Sequence, residues 1–204
     1  MQTGTSTRKK SSIPISLARI DMEKLVLDQR IYTYNDYKNL PEGAPYQLIG
    51  GSLVMTPSPE VYHQDISGKL AYKMRGFVIK NKLGFLYYAP IDVKLSKYNV
   101  FQPDVIFIRK KNKKIIGLKN ICGAPDVVIE ILSPSTAYYD LREKFRVYEK
   151  YGVKEYWIVD PKVKSIEIYE NHKNKFLLNN SAEVTGKVSS GILKGFTVSL
   201  KEIF

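Results

Sequence analysis

The stretch that decides the fold is "PDVVIEILSPST", residues 125–136. From Val127 to Leu132 it reads Val-Val-Ile-Glu-Ile-Leu, an aliphatic run of strand length bounded by turn residues. Glu130 interrupts that run. A carboxylate buried without a partner is costly and tends to neutralise instead, so Glu130 must face a proton, a cation or a donor. Alternate residues of a strand share a face, which groups Asp126, Val128, Glu130 and Leu132 on one side.

A second strand carries the same anomaly. In "QPDVIFI", residues 102–108, Asp104, Ile106 and Ile108 fall on one side and Val105 and Phe107 on the other. If the two strands are neighbours, Asp104 and Glu130 converge. Converging carboxylates repel unless one is protonated or a cation lies between them. The donors in reach are hard oxygens, so the expected cofactor is Mg²⁺ or Mn²⁺. Such an ion can activate water and polarise a phosphodiester. Asp126 is on the Glu130 side but roughly 13 Å along the strand; it reads as a residue that ties the preceding loop.

Working outward, the chain alternates helical and strand-like stretches. "TYNDYKNLPEG" (33–43) predicts a short helix. "YQLIGGSLVMTPSP" (46–59) predicts a hairpin turning at Gly50-Gly51. From His63 to about Lys82, Ile66, Leu70, Met74, Phe77 and Val78 recur at helical spacing, with Gly84 expected to end the helix. Strand-like segments follow at 85–89, 91–96, 102–108 and 126–132. A second helix is expected over 136–151, capped by Ser135 or Thr136 and closed by Gly152. "EYWIVD" (155–160) and "SIEIYE" (165–170) are further strands, and the tail is expected as short edge strands. This order predicts an α+β, or mixed α/β, layout with a central mixed sheet, flanking helices and added hairpins. Residues 1–20 form a basic arm without acidic residues, followed by a single domain over 21–204.

Charge and composition narrow the function classes. The 204-residue chain carries 32 Lys and Arg against 20 Asp and Glu, a formal net charge of +12, which favours polyanionic partners. Arg109, Lys110, Lys111, Lys113 and Lys114 cluster in one loop without an acid and are the candidate nucleic-acid contacts. Most of the 15 tyrosines are expected to pack strands and interfaces. The single cysteine, Cys122, excludes an intrachain disulfide and a zinc cluster, so an intracellular, cytoplasmic protein is expected. No apolar run reaches the ~20 residues of a membrane span, and no Gly-rich phosphate loop is present.

The spacing "QPD" (102–104) followed by Glu130 resembles the PD-(D/E)XK nuclease superfamily. "GAPDVVIEILSPSTAYYDLREKFRVYEKYGVKEYWIVDP", with "YQLIGGSLVMTPSPEVYHQ" and "APIDVKLSKYNVFQPDVIFI", resembles its Uma-type branch, formerly a domain of unknown function. The resemblance covers roughly residues 33–171 and implies a restriction-endonuclease-like fold.

The lysine of the motif is missing, since Glu130 is followed by Ile131-Leu132. In the superfamily a helix often supplies it, and Lys144 is the candidate here, one face with Asp140 and Tyr148. The competing reading is a plain Asp140–Lys144 surface pair worth ~0.3–0.5 kcal/mol. His63 reads either as a metal or phosphate contact or as a structural helix-start histidine. The family's "YELIDGEL" is Tyr46-Gln47-Leu48-Ile49-Gly50-Gly51-Ser52-Leu53 here, so Gln47 replaces a glutamate that often completes the metal site. The expected catalytic set is thus Asp104, Glu130 and Lys144, and the expected metal set is Asp104, Glu130, Gln47 and His63. A Mg²⁺-dependent endonuclease acting on DNA is implied, with a homodimer convenient for duplex cleavage. The alternative is a weak or inactive nucleic-acid-binding or assembly module on the same fold.

Overall fold

The computed structural model describes residues 30–134 and 137–204; the expected basic arm and the Ser135 or Thr136 cap lie outside them. From the N-terminal side come α1 (Tyr34–Tyr37), the hairpin β1 (Tyr46–Ile49) and β2 (Ser52–Met55), and the long helix α2 (Val61–Lys80). Gly50 and Gly51 turn the hairpin with φ of 59° and 89°, a region that L side chains resist. Then follow β3 (Gly84–Tyr88), β4 (Val93–Ser96), β5 (Asn99–Phe101), β6 (Val105–Arg109), β7 (Ile121–Cys122) and β8 (Val127–Ile131). A π-helical turn (Tyr139–Lys144) runs into α3 (Phe145–Tyr151), which Gly152 ends in the left-handed region. The chain finishes with β9 (Glu155–Asp160), β10 (Ser165–Asn171), β11 (Phe176–Glu183), β12 (Lys187–Ser189) and β13 (Thr197–Ser199).

Six strands form the central sheet in the order β11-β10-β9-β8-β6-β3. Only β8 and β9 run parallel within it, as a crossover through α3 requires; the other pairs are antiparallel. A second sheet, β2-β1-β5-β4-β7, and a β12–β13 pair complete the fold. This is the mixed architecture expected from the order of elements.

Both faces of the central sheet are covered, which is why β8 is buried at every position. On one face Ile66, Leu70, Met74 and Val78 of α2 pack on Val105, Phe107, Val127, Ile129 and Trp157. Each such side chain contributes about 1.5–3 kcal/mol by leaving water. On the other face Ile106, Ile108, Val128 and Ile158 meet Tyr148 of α3 and Val93 and Phe101 of the second sheet. The period-2 grouping of β6 and β8 residues is therefore the observed one.

Three details differ from the sequence reading. Gly84 does not end α2: Asn81 and Lys82 do, Lys82 with φ of 54°, and Gly84 opens β3 against the backbone of Ile108, where a side chain has no room. Strands β5 and β7 stand where no strand was expected, short segments paired to β1 and β4. The tail is more than edge strands, because Val188, Leu193, Phe196, Val198, Leu200 and Ile203 are buried in the α2-side core.

Candidate metal and phosphodiester site

The register of β6 against β8 pairs Val105 with Ile129 and Ile106 with Val128. One further step sets Asp104 opposite Glu130 on the α3 side of the sheet. Asp104 Oδ2 accepts a hydrogen bond of 2.7 Å from the Ile131 backbone N–H, which locks the first carboxylate beside the second. Both acids line a pocket of about 540 Å³ together with Gln47, His63, Asp140 and Lys144. The structure thus brings together all the expected catalytic and metal-set residues.

Lys144 reaches Glu130 from the π-turn. Its Nζ donates to Glu130 Oε1 at 3.0 Å and lies 2.9 Å from Asp140 Oδ1. Tyr148 OH donates to the same Glu130 Oε1 at 2.7 Å. Lys144 and Glu130 are 2 % and 3 % exposed, so the plain surface pair is not what the chain builds. The π-turn serves this arrangement: a wider turn carries Asp140 and Lys144 inward from the same stretch, and such turns recur at functional sites.

The charges do not balance. Three carboxylates, Asp104, Glu130 and Asp140, face one lysine in the pocket. Burial pushes the Glu130 carboxyl up to about 8; Lys144 opposes that rise, and Asp140 and Asp104 add to it. Burial lowers the Lys144 pKa, but Glu130 and Asp140 outweigh it and hold the ammonium charged, its pKa above the usual lysine range. His63 Nε2 donates to the Ile131 carbonyl at 3.0 Å and lies 3.4 Å from Asp104 Oδ2. Burial lowers the His63 pKa, yet the hydrogen bond and charge of Asp104 raise it further, and the net direction is up. His63 Nδ1 is buried without a hydrogen-bond partner among the described residues.

Gln47 is tied at both ends: its Oε1 accepts from the Gln102 backbone N–H at 3.0 Å and its Nε2 donates to Thr56 Oγ1 at 3.0 Å. Gln102 in turn donates to Asp92, which also takes the Tyr37 hydroxyl. Gln102, which stands in "QPD" two residues before Asp104, was given no role from the sequence.

The basic loop is elsewhere. It begins at the far end of β6, roughly 16 Å from Asp104 at ~3.3 Å per residue. Arg109 is engaged there: its backbone N–H, Nε and Nη2 all bond Asp126, as does the Asn112 side chain. Asp126 therefore ties the loop. Lys110, Lys111, Lys113 and Lys114 remain exposed on it.

A divalent cation fits the donor chemistry. Among the described residues Asp104 Oδ1 and Glu130 Oε2 carry no protein hydrogen bond, while their other oxygens are held. Among the same residues no group of three or more His, Cys, Asp or Glu is placed to hold an ion. Two carboxylates beside the Ile131 carbonyl are hard oxygen donors of the kind a divalent cation takes.

A family model, Uma2, described as "Putative restriction endonuclease", matches residues 33–201. The chain belongs to the Uma2 family. Its fold is shared by a solved protein from Anabaena variabilis ATCC 29413, described as a "putative nuclease belonging to DUF820". That likeness has a TM-score of 0.70 at 20% identity, over 84% of this chain and 97% of the other. No curated protein matches. Among the described residues of this Uma2 chain no helix is long and apolar enough to cross a membrane.

Proposed function

We propose that the chain is a divalent-metal-dependent phosphodiesterase that hydrolyses nucleic acid, DNA in the first instance. The observation that carries this reading is the pairing of Asp104 and Glu130 on adjacent strands in one pocket, each with one oxygen held and the other without a protein hydrogen bond among the described residues. Membership in a restriction-endonuclease-like family supports it. Asp104 and Glu130 would hold the ion, with the Ile131 carbonyl as a further donor. When bound, Mg²⁺ or Mn²⁺ supplies an activated water and a polarised phosphoryl oxygen.

The chain's own groups do the rest. The Ile131 N–H orients Asp104, and Lys144 with Tyr148 orients Glu130. The Lys144 ammonium, kept charged by its two acids, offsets phosphate charge as the phosphoester approaches. Gln47, engaged by Gln102 and Thr56, acts as a strut of the pocket wall. Asp104→Asn is the test. Mg²⁺- or Mn²⁺-dependent nicking of plasmid DNA should vanish while binding in EDTA persists; unchanged nicking rejects the assignment.

A second reading, a non-catalytic nucleic-acid-binding module, is favoured by one feature: a neutral Gln47 whose oxygen already accepts a backbone N–H. DNA binding without Mn²⁺ uptake in calorimetry would select it.

A further inference from the structure

One hydroxyl ties the π-turn to the central sheet. Tyr156 stands on β9, parallel to β8, with Tyr156 beside Val128 and Ile158 beside Glu130. Residues two apart on a strand share a face, so Tyr156 rises from the same side of the sheet as Glu130, in the core that also holds Val128, Tyr148 and Ile158. Its ring is fully buried and packs on Phe145, Tyr148 and Phe176 at centroid distances of 5.9, 5.1 and 5.9 Å. A phenylalanine would pack as well. The hydroxyl adds one thing: it donates to the Asp140 backbone carbonyl at 3.0 Å, a buried bond between residues 16 apart in the chain.

The residue held in this way is the one that steers Lys144. Lys144 Nζ lies 2.9 Å from Asp140 Oδ1 and reaches Glu130 Oε1 at 3.0 Å. A lysine ends in a compact charge on a flexible four-carbon stem, so its place is set by what it bonds. Asp140 and Glu130 set it jointly. Glu130 is carried by a strand buried at every position. Asp140 sits instead in a single π-turn, between exposed Tyr138 on one side and exposed Leu141 and Arg142 on the other. Its position needs an anchor outside the turn, and the Tyr156 hydroxyl supplies one.

Resting on the phosphodiesterase reading above, we propose that Tyr156 is a positioning residue: its hydroxyl fixes Asp140, and through Asp140 it holds the Lys144 ammonium against Glu130. The bonds run from Tyr156 to Asp140, from Asp140 to Lys144 and from Lys144 to Glu130. The first and last members stand on adjacent strands, so β8 and β9 set both ends of the bridge. Tyr156 is outside the pocket lining, and it acts on the chemistry only through Lys144.

Tyr156→Phe keeps the ring and removes the hydroxyl. Single-turnover nicking of plasmid DNA at saturating Mn²⁺ should slow about tenfold, with the DNA concentration for half-maximal rate unchanged and the protein folded at the assay temperature. A purely structural loss would be indifferent to Lys144. In a Lys144→Met background, therefore, Tyr156→Phe should slow nicking no further. A metal-free crystal structure of Tyr156→Phe should show Lys144 Nζ drawn away from Asp140 or Glu130. Nicking by Tyr156→Phe at the parent's rate, the same tenfold loss on top of Lys144→Met, or a Lys144 that stays in place in the crystal overturns the proposal. If the intact protein nicks no DNA, the phosphodiesterase reading falls, and the crystal structure alone still decides whether Tyr156 positions Lys144.

Discussion

Glu130 carries the largest physical tension at the residue scale. Its carboxyl sits at about 8 in the folded chain, against 4.5 when solvated, because burial opposes the charge. Between those values the native state binds a proton that the unfolded chain has released. Metal-free stability from this group is therefore full below 4.5 and declines as pH rises through about 8. His63, also raised, acts in the same direction. Thermal melts in EDTA should show the intact protein losing stability relative to Glu130→Gln across that window; parallel curves contradict it. The two acids were legible in the sequence because a strand's period of two sorts side chains without reference to anything distant. Glu155 was not. It is fully buried and takes bonds from Trp157, Ser190, Gly191 and Ile192, and most of those partners come from a loop about 35 residues away that no local pattern announces. Glu155→Ala strands these donors and should cost about 3 kcal/mol in urea denaturation.

At the element scale the decisive piece is the π-turn before α3. The Asp140–Lys144–Tyr148 face was legible from helical spacing, but an i→i+5 turn has no compositional mark, so its inward reach was not. The cost of removing the lysine separates the two readings of this pair. Lys144→Met leaves buried Asp140 without its cation and Glu130 without a donor, and should destabilise by about 3–5 kcal/mol, against at most ~0.5 kcal/mol for an exposed pair; chemical denaturation at neutral pH measures it. The turn at Lys110–Ile115 depends likewise on one buried acid. Asp126→Ala should release it, seen as faster amide exchange from Lys110 to Ile115 with the sheet still protected. Strands β5 and β7 escaped the sequence reading for a different reason: at three and two residues they are too short to show a period.

For the whole molecule, the mixed sheet with a helix on each face could be read from the order of elements, and the family resemblance completed it. What the order did not contain was distance. The lysine loop and the acidic pocket lie at opposite ends of β6, so positive charge and chemistry are separated. Replacing Lys110, Lys111, Lys113 and Lys114 by alanine should lower the salt slope of duplex DNA binding by about 0.9 for each phosphate no longer neutralised, and leave single-turnover cleavage at saturating substrate nearly unchanged. A matching fall in the cleavage step would place the loop at the chemistry after all.

In the proposed chemistry Asp104 and Glu130 share one cation. Crystals soaked in Mn²⁺ and measured at the manganese absorption edge test that directly. An anomalous peak beside both carboxylates, absent from Glu130→Gln, is the expected result. A peak away from this pair, or none at saturating Mn²⁺ in well-ordered crystals, contradicts it.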